Sequence, residues 1–120
     1  MTHEKAHQQI AKRLLLSSIE DGASKGLRID NGEHSLALFL VRRGDDIYCY
    51  RNRCPHTGVN LDWVPDQFLD LEGEHIQCAT HGALFRIADG FCVAGPCAGE
   101  SLAAVELKIS GDYVDIVIPI

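Results

Sequence analysis

No run of apolar residues in this 120-residue chain approaches the roughly 20 needed to cross a bilayer, so membrane insertion is not expected. The opening stretch, Met1 to Arg13, is polar and lacks the hydrophobic segment of a secretion signal. No basic tract is present, and a formal net charge of -6 argues against nucleic acid as a partner. Gly-rich phosphate loops and nucleophile-elbow patterns are missing too, so the sequence predicts no catalytic centre of those kinds. Internal repeats and low-complexity segments are absent. Cysteine is present but odd in number: Cys49, Cys54, Cys78, Cys92 and Cys97 make five. That count argues against a fully paired, secreted disulfide framework. It fits a reducing, cytoplasmic setting in which the thiols are free or serve as ligands.

Hydrophobic residues make up 46% of the chain, enough for one modest core, so a single domain over residues 1–120 is expected. Ala6, Ile10 and Leu14 recur every fourth residue, which predicts a short helix within Met1–Arg13, with a mobile terminal segment as the alternative. A first strand is expected over Leu14–Ile19 and a second over Gly26–Asp30, followed by the hairpin signal Asn31-Gly32. Leu36–Val41 is almost entirely apolar and reads as a strand covered on both faces. Ile47–Tyr50 pairs back on it and leads directly towards Cys54. Further short strands are expected at His75–Gln77, Ala83–Ile87, Phe91–Val93, Val105–Ile109 and Val114–Ile118. Many short strands separated by turn residues, with almost no helix signal, imply an all-β sandwich or barrel.

Two short motifs organise the chain. Cys54-Pro55-His56 is a C-x-H clip, and Cys78-Ala79-Thr80-His81 is a C-x-x-H clip, with 21 residues between His56 and Cys78. Two thiols and two imidazoles form a four-ligand metal set. Structural zinc is one reading, although such sites usually pair like ligands within a clip. Here each clip is mixed. Two cysteines on one metal and two histidines on another would instead suit a [2Fe–2S] cluster of the Rieske kind. The spacer between the clips carries Leu61, Trp63, Val64, Phe68, Leu69 and Leu71, which are expected to pack beneath the loops.

At these residues the sequence resembles the Rieske iron–sulfur family. Cys54-Pro55-His56-Thr57-Gly58 and Cys78-Ala79-Thr80-His81-Gly82 match both cluster-binding boxes, and Gly95-Pro96-Cys97-Ala98 resembles the proline-containing loop that covers the cluster. The likeness extends over roughly Leu14–Ile118 and is greatest to small soluble bacterial ferredoxins. It implies three stacked antiparallel sheets, with a cluster-binding subdomain over about residues 51–99. It also implies one cluster per chain, with Cys54 and Cys78 on the inner iron and His56 and His81 on the outer one. The function it implies is one-electron transfer between a reductase and a terminal oxidoreductase or oxygenase, by a carrier that is not itself an enzyme. A tightly bound small subunit of a multi-subunit oxidoreductase, as in nitrite reductases, is the alternative.

Departures from the family pattern carry expectations of their own. High-potential members have an extra cysteine in each box and hydroxyl donors near the cluster sulfurs. This chain has Val59, Thr80, Ala83 and Phe85 at those positions. Fewer donors predict a low reduction potential. Cys92 and Cys97 read as small buried thiols, with Cys97 beside the cluster loop and a disulfide as the alternative. Cys49 reads as core, while His3, His7, His34 and His75 are not expected to be ligands. Arg42, Arg43, Arg51 and Arg53 read as strand-edge charge, with a basic docking rim as the alternative.

Overall fold

A computed structural model of the protein describes residues 8–31, 34–55, 61, 66–78 and 82–119. Strand β1 spans Gln8–Leu15, β2 Ser24–Asn31, β3 His34–Arg43, β4 Asp46–Arg51 and β5 His75–Gln77. Then follow β6 Leu84–Arg86, β7 Cys92–Ala94, β8 Glu106–Ser110 and β9 Tyr113–Pro119. They form three antiparallel three-stranded sheets, ordered β1-β9-β8, β2-β3-β4 and β5-β6-β7. The all-β expectation holds. No helix among the described residues is long and apolar enough to cross a membrane.

The apolar run of β3 explains how the sheets are arranged. Successive side chains of a strand point to opposite faces. Leu38 and Leu40 enter one core with Ile29, Cys49, Val114 and Ile116, while Phe39 and Val41 enter another with Tyr50, Phe68, Ile76 and Phe85. The sheet β2-β3-β4 therefore lies between two cores. One is closed by β9, the other by the sheet that carries the cluster boxes. Burial pushes the Cys49 thiol up to about 12, as suits a core cysteine.

The N-terminal helix is not found: residues 8–13 belong to β1, and residues 1–7 lie outside the described residues. The four-residue spacing marks no buried face. The pairing of β1 with β9 slips between Ile10 and Lys12, a β-bulge. One extra residue shifts the phase, so Ala11 and Leu14, three apart, both face the core while Ile10 is exposed. Ile10, one of the residues that suggested a helix, therefore faces solvent. Leu14–Ile19 is correspondingly not one strand: β1 stops at Leu15, and Leu16–Ser18 forms a turn of 3₁₀ helix.

The charged pair on this sheet joins Arg13 to Asp115 through two hydrogen bonds of 2.6 and 3.0 Å. The Arg13 guanidinium holds the Asp115 carboxyl below the usual carboxylate range. Ile109 is mostly exposed because β8 is an edge strand.

The packing generates one prediction. Phe39 is fully buried and stacks on Phe68 with ring centroids 4.3 Å apart. Phe39→Ala should cost about 3–5 kcal/mol. Urea unfolding should show a lower midpoint for the variant, whereas an unchanged midpoint would mean that this contact does not couple the sheets.

Candidate metal centre

The chain reaches the first box from β4. At the end of that strand, the Arg51 N–H donates to the Ala103 carbonyl (2.8 Å) and the Asn52 N–H to the Ala37 carbonyl (2.9 Å). Asn52 is buried, and its Oδ1 accepts from the Leu61 N–H at 2.7 Å. One amide side chain therefore ties the residues before Cys54 to the chain beyond the first box. Cys54 follows with 1% of its surface exposed.

The second box is held by β5 and β6, where Ile76 pairs with Phe85. The Cys78 N–H donates to the Ala83 carbonyl (2.9 Å), and the Gly82 N–H returns to the Cys78 carbonyl (2.7 Å). Cys78 is fully buried in the same core as Cys54, Ala83, Phe85, Cys92 and Cys97. The structure thus brings both predicted cysteine ligands into one dry region at the ends of two separate ladders. His56 and His81 lie outside the described residues. Among the described residues, no group of three or more His, Cys, Asp and Glu side chains is placed to hold a metal ion.

A third loop, between β7 and residue 100, closes over this region. Its internal bonds run from Ala98 N–H to the Gly95 carbonyl and from Glu100 N–H to the Cys97 carbonyl, at 3.2 and 2.9 Å. Cys97 is fully buried beneath it. Burial pushes the Cys97 thiol up to about 12, and its hydrogen bonding with Cys92 adds to the shift. Cys92 and Cys97 are both free thiols, as expected, with their sulfurs 3.1 Å apart.

The spacer is anchored to β2. The Ser24 hydroxyl donates to the Asp66 carbonyl at 2.7 Å and accepts from the Phe68 N–H at 3.2 Å. The Asp66 carboxylate accepts from the Gly26 N–H at 2.7 Å, and Asp66 itself has a φ of 68°. Leu61 and Phe68 are fully buried as expected and Leu69 is partly so, but Leu71 is fully exposed. Leu71 sits in the turn that ends at the β5 pairing, so nothing covers it. Trp63 and Val64 lie outside the described residues.

The four arginines separate. Arg42 is at the far end of the β3–β4 hairpin, where its guanidinium donates to the carbonyls of Ile19 and Gly44, each at 2.8 Å. It serves the scaffold, and Arg43 shares that end. Arg51 and Arg53 instead line a cleft of about 180 Å³ with Pro55, Ser101 and Ala103, beside the first box. His75, half-buried, places Nδ1 3.4 Å from the Asp70 carboxylate. Sequence reasoning missed the roles of Asn52 and Asp66. Asn and Asp commonly bond to backbone in turns, but these two sit among other polar residues and give no further signal.

Gly95 sets how closely the third loop approaches. Its φ is +99°, and a Cβ there would fall 2.7 Å from the Ala83 Cα. Gly95→Ala should cost about 1–3 kcal/mol in backbone strain alone and push the loop off the second box. Thermal unfolding should fall, and metal bound per chain should fall with it. Wild-type values for both would show that the loop is not packed in this way.

The sequence profile of the Rieske [2Fe–2S] domain matches residues 14–110. No curated protein matches the chain. Solved structures with the same fold include the ferredoxin of carbazole 1,9a-dioxygenase from Nocardioides aromaticivorans IC177. It is 22% identical with a TM-score of 0.68, over 92% of this chain and 97% of that one. A complex of reduced oxygenase and oxidised ferredoxin in carbazole 1,9a-dioxygenase aligns at 21% identity and a TM-score of 0.67, covering 92% of each chain. The terminal oxygenase of carbazole 1,9a-dioxygenase from Novosphingobium sp. KA1 aligns at 18% identity and a TM-score of 0.69, over 92% of this chain but 29% of that one. These likenesses establish the fold. With the profile covering most of its length and the two box cysteines converging in one core, the chain belongs to the Rieske [2Fe–2S] domain family.

Proposed function

We propose that the protein is a soluble, cytoplasmic one-electron carrier that passes electrons from a reductase to a terminal oxidoreductase or oxygenase and is not itself an enzyme. The observation that carries this reading is the burial of Cys54 and Cys78 in one core. The donor set suits a [2Fe–2S] cluster, because the two thiols are water-free and come from separately braced loops. Cys54 and Cys78 would hold one iron as thiolates, and His56 and His81 the other. When bound, the cluster takes up and releases a single electron.

The chain's own residues do the rest. Asn52 and the Cys78–Ala83 bonding keep the ligand loops in place, so that little rearranges when charge changes. Phe85, Ala83 and the third loop exclude water from the sulfur side. Residues 1–120 would act as one domain, with residues 51–99 as its cluster-binding part. The likeness over nearly the full length of a dioxygenase ferredoxin supports a ferredoxin-like role. The cleft beside the first box, with Arg51 and Arg53, offers an acidic partner a place to dock.

Protein purified without oxygen should contain two irons and two sulfides per chain and give the low-average-g EPR signal of mixed histidine and cysteine ligation after dithionite reduction. Cys78→Ser or His81→Cys should abolish or change that spectrum, while Cys92→Ser should leave it intact. Zinc without iron, reproduced under anaerobic preparation, would overturn the carrier reading.

The potential follows from the same site. Ala83 and Phe85 are both fully buried and offer no hydroxyl donor. Redox titration should place the midpoint towards the bottom of the Rieske range, which begins at about -150 mV. A midpoint above about +150 mV would contradict this account of the sulfur environment.

A further inference from the structure

The five cysteines divide by use. Cys54 and Cys78 stand in the boxes, and Cys49 lies in the opposite core. Cys92 and Cys97 have no part in the site, yet the fold brings them together. Both are buried free thiols, and their sulfurs are 3.1 Å apart. A carbonyl oxygen only accepts, so the Cys92 S–H donates to the Ala94 carbonyl at 3.2 Å. The Cys97 S–H then donates to the Cys92 sulfur.

The pair stands at the mouth of the third loop. The Cys92 N–H donates to the Glu100 carbonyl at 2.8 Å, and the Gly99 N–H returns to the Cys92 carbonyl at 3.2 Å. These bonds hold Cys92 against the segment that follows Cys97. Between the two cysteines, Val93, Ala94, Gly95 and Pro96 are all exposed. The thiols therefore lie beneath a cover one chain thick, and that cover meets the Ala83 backbone at Gly95. Sulfurs joined in a disulfide are about 2.05 Å apart, which leaves about 1 Å to close.

We propose that Cys92 and Cys97 form a reversible dithiol–disulfide clasp, which locks the third loop shut when low-molecular-weight disulfides accumulate. The oxidant is a small disulfide of the glutathione kind. Both cysteine sulfurs are covered while the loop is closed, so the reagent reaches them only when the loop lifts. One cysteine, as thiolate, attacks a sulfur of the reagent, whose S–S bond breaks and releases one small thiol. The other cysteine attacks the mixed disulfide, the Cys92–Cys97 bond forms, and the second small thiol leaves. Two electrons pass from the cysteines to the reagent, and the two S–H hydrogens end on the released thiols.

Once bridged, the cover is pinned to β7 at both of its ends and can no longer lift. The clasp itself does not depend on a cluster. Its consequence for the metal rests on the carrier reading: iron held beneath a pinned cover leaves more slowly.

The test incubates the cluster-loaded protein with glutathione disulfide under anaerobic conditions. Peptide mass mapping should find Cys92 joined to Cys97 with the loss of two hydrogens, and dithiothreitol should restore both thiols. Transfer of iron to a ferrous chelator should be several-fold slower from the bridged protein than from the reduced one. Cys92→Ala should keep its iron and release it at a rate that glutathione disulfide does not alter, with Cys97→Ala as the second variant should the first fail to fold. Absence of a Cys92–Cys97 bridge after prolonged incubation overturns the proposal, as does equal iron release from bridged and reduced protein. A bridge formed in protein that binds no iron would leave the clasp standing and overturn the carrier reading instead.

Discussion

The structure depends on burying both faces of β3. The sheet beneath the metal site consists of three strands of three residues each, too short to stand alone. Their backbone ladders cannot fix the positions of Cys54 and Cys78. What fixes them is the packing of Phe39, Val41 and Tyr50 from the central sheet against Phe68, Ile76 and Phe85. Phe39 lies nearly parallel to Phe68, with 5° between the ring planes, so the spacer is stacked on the central sheet. The buried Tyr50 hydroxyl donates to the Ile87 carbonyl at 2.6 Å and fastens the turn between β6 and β7 to the same layer. The opposite face of β3 is closed by β9, whose Val114 and Ile116 are fully buried. Loss of either face would release the other, because the same backbone serves both.

Side chain-to-backbone bonds then do locally what the core does globally. Asn52 holds Leu61, and Ser24 and Asp66 hold the spacer against β2. Asn52 and Ser24 satisfy backbone groups that the irregular loop would otherwise leave without a partner, and Asp66 does the same for β2. Asp66 adopts a positive φ and in return places its carboxylate on the Gly26 N–H. Electron transfer makes and breaks no protein bond, so the barrier a carrier imposes lies in how far its surroundings move. Loops braced at both ends suit that requirement better than loops held by their ligands alone.

Much of this was legible in the sequence because the relevant signals are local. The unbroken apolar run of Leu36–Val41 announced a strand covered on both sides, and His75–Gln77 matches β5 at both ends. The two clips named the cysteines that the structure brings together. What was illegible depended on phase or on distant partners. Ile10, which completed a helix-like spacing with Leu14, lies exposed on a bulged strand. Leu71 is apolar yet lies in an exposed turn, which composition cannot reveal. Arg42 and Arg51 looked alike in sequence, but the hairpin carries them to opposite ends, one bonding to carbonyls of the scaffold and the other lining a cleft near the first box. Asn52 gave no warning of its role, because its partner Leu61 lies nine positions away.

Ligand identity decides what the site holds, but its surroundings decide how readily it takes an electron. Here the general terms point one way. Burial in an apolar core penalises added negative charge, and the reduced cluster is the more negative state. A net charge of -6 opposes reduction as well, though salt confines that effect to about 8 Å at physiological ionic strength. Only groups in direct contact with the sulfurs can act in the other direction. Ala83 and Phe85 cannot, having no donor in their side chains. Backbone N–H groups of the boxes are partly committed elsewhere, as the Cys78 and Gly82 bonds show. The third loop, held against the second box by its close contact at Gly95, helps to keep that core dry.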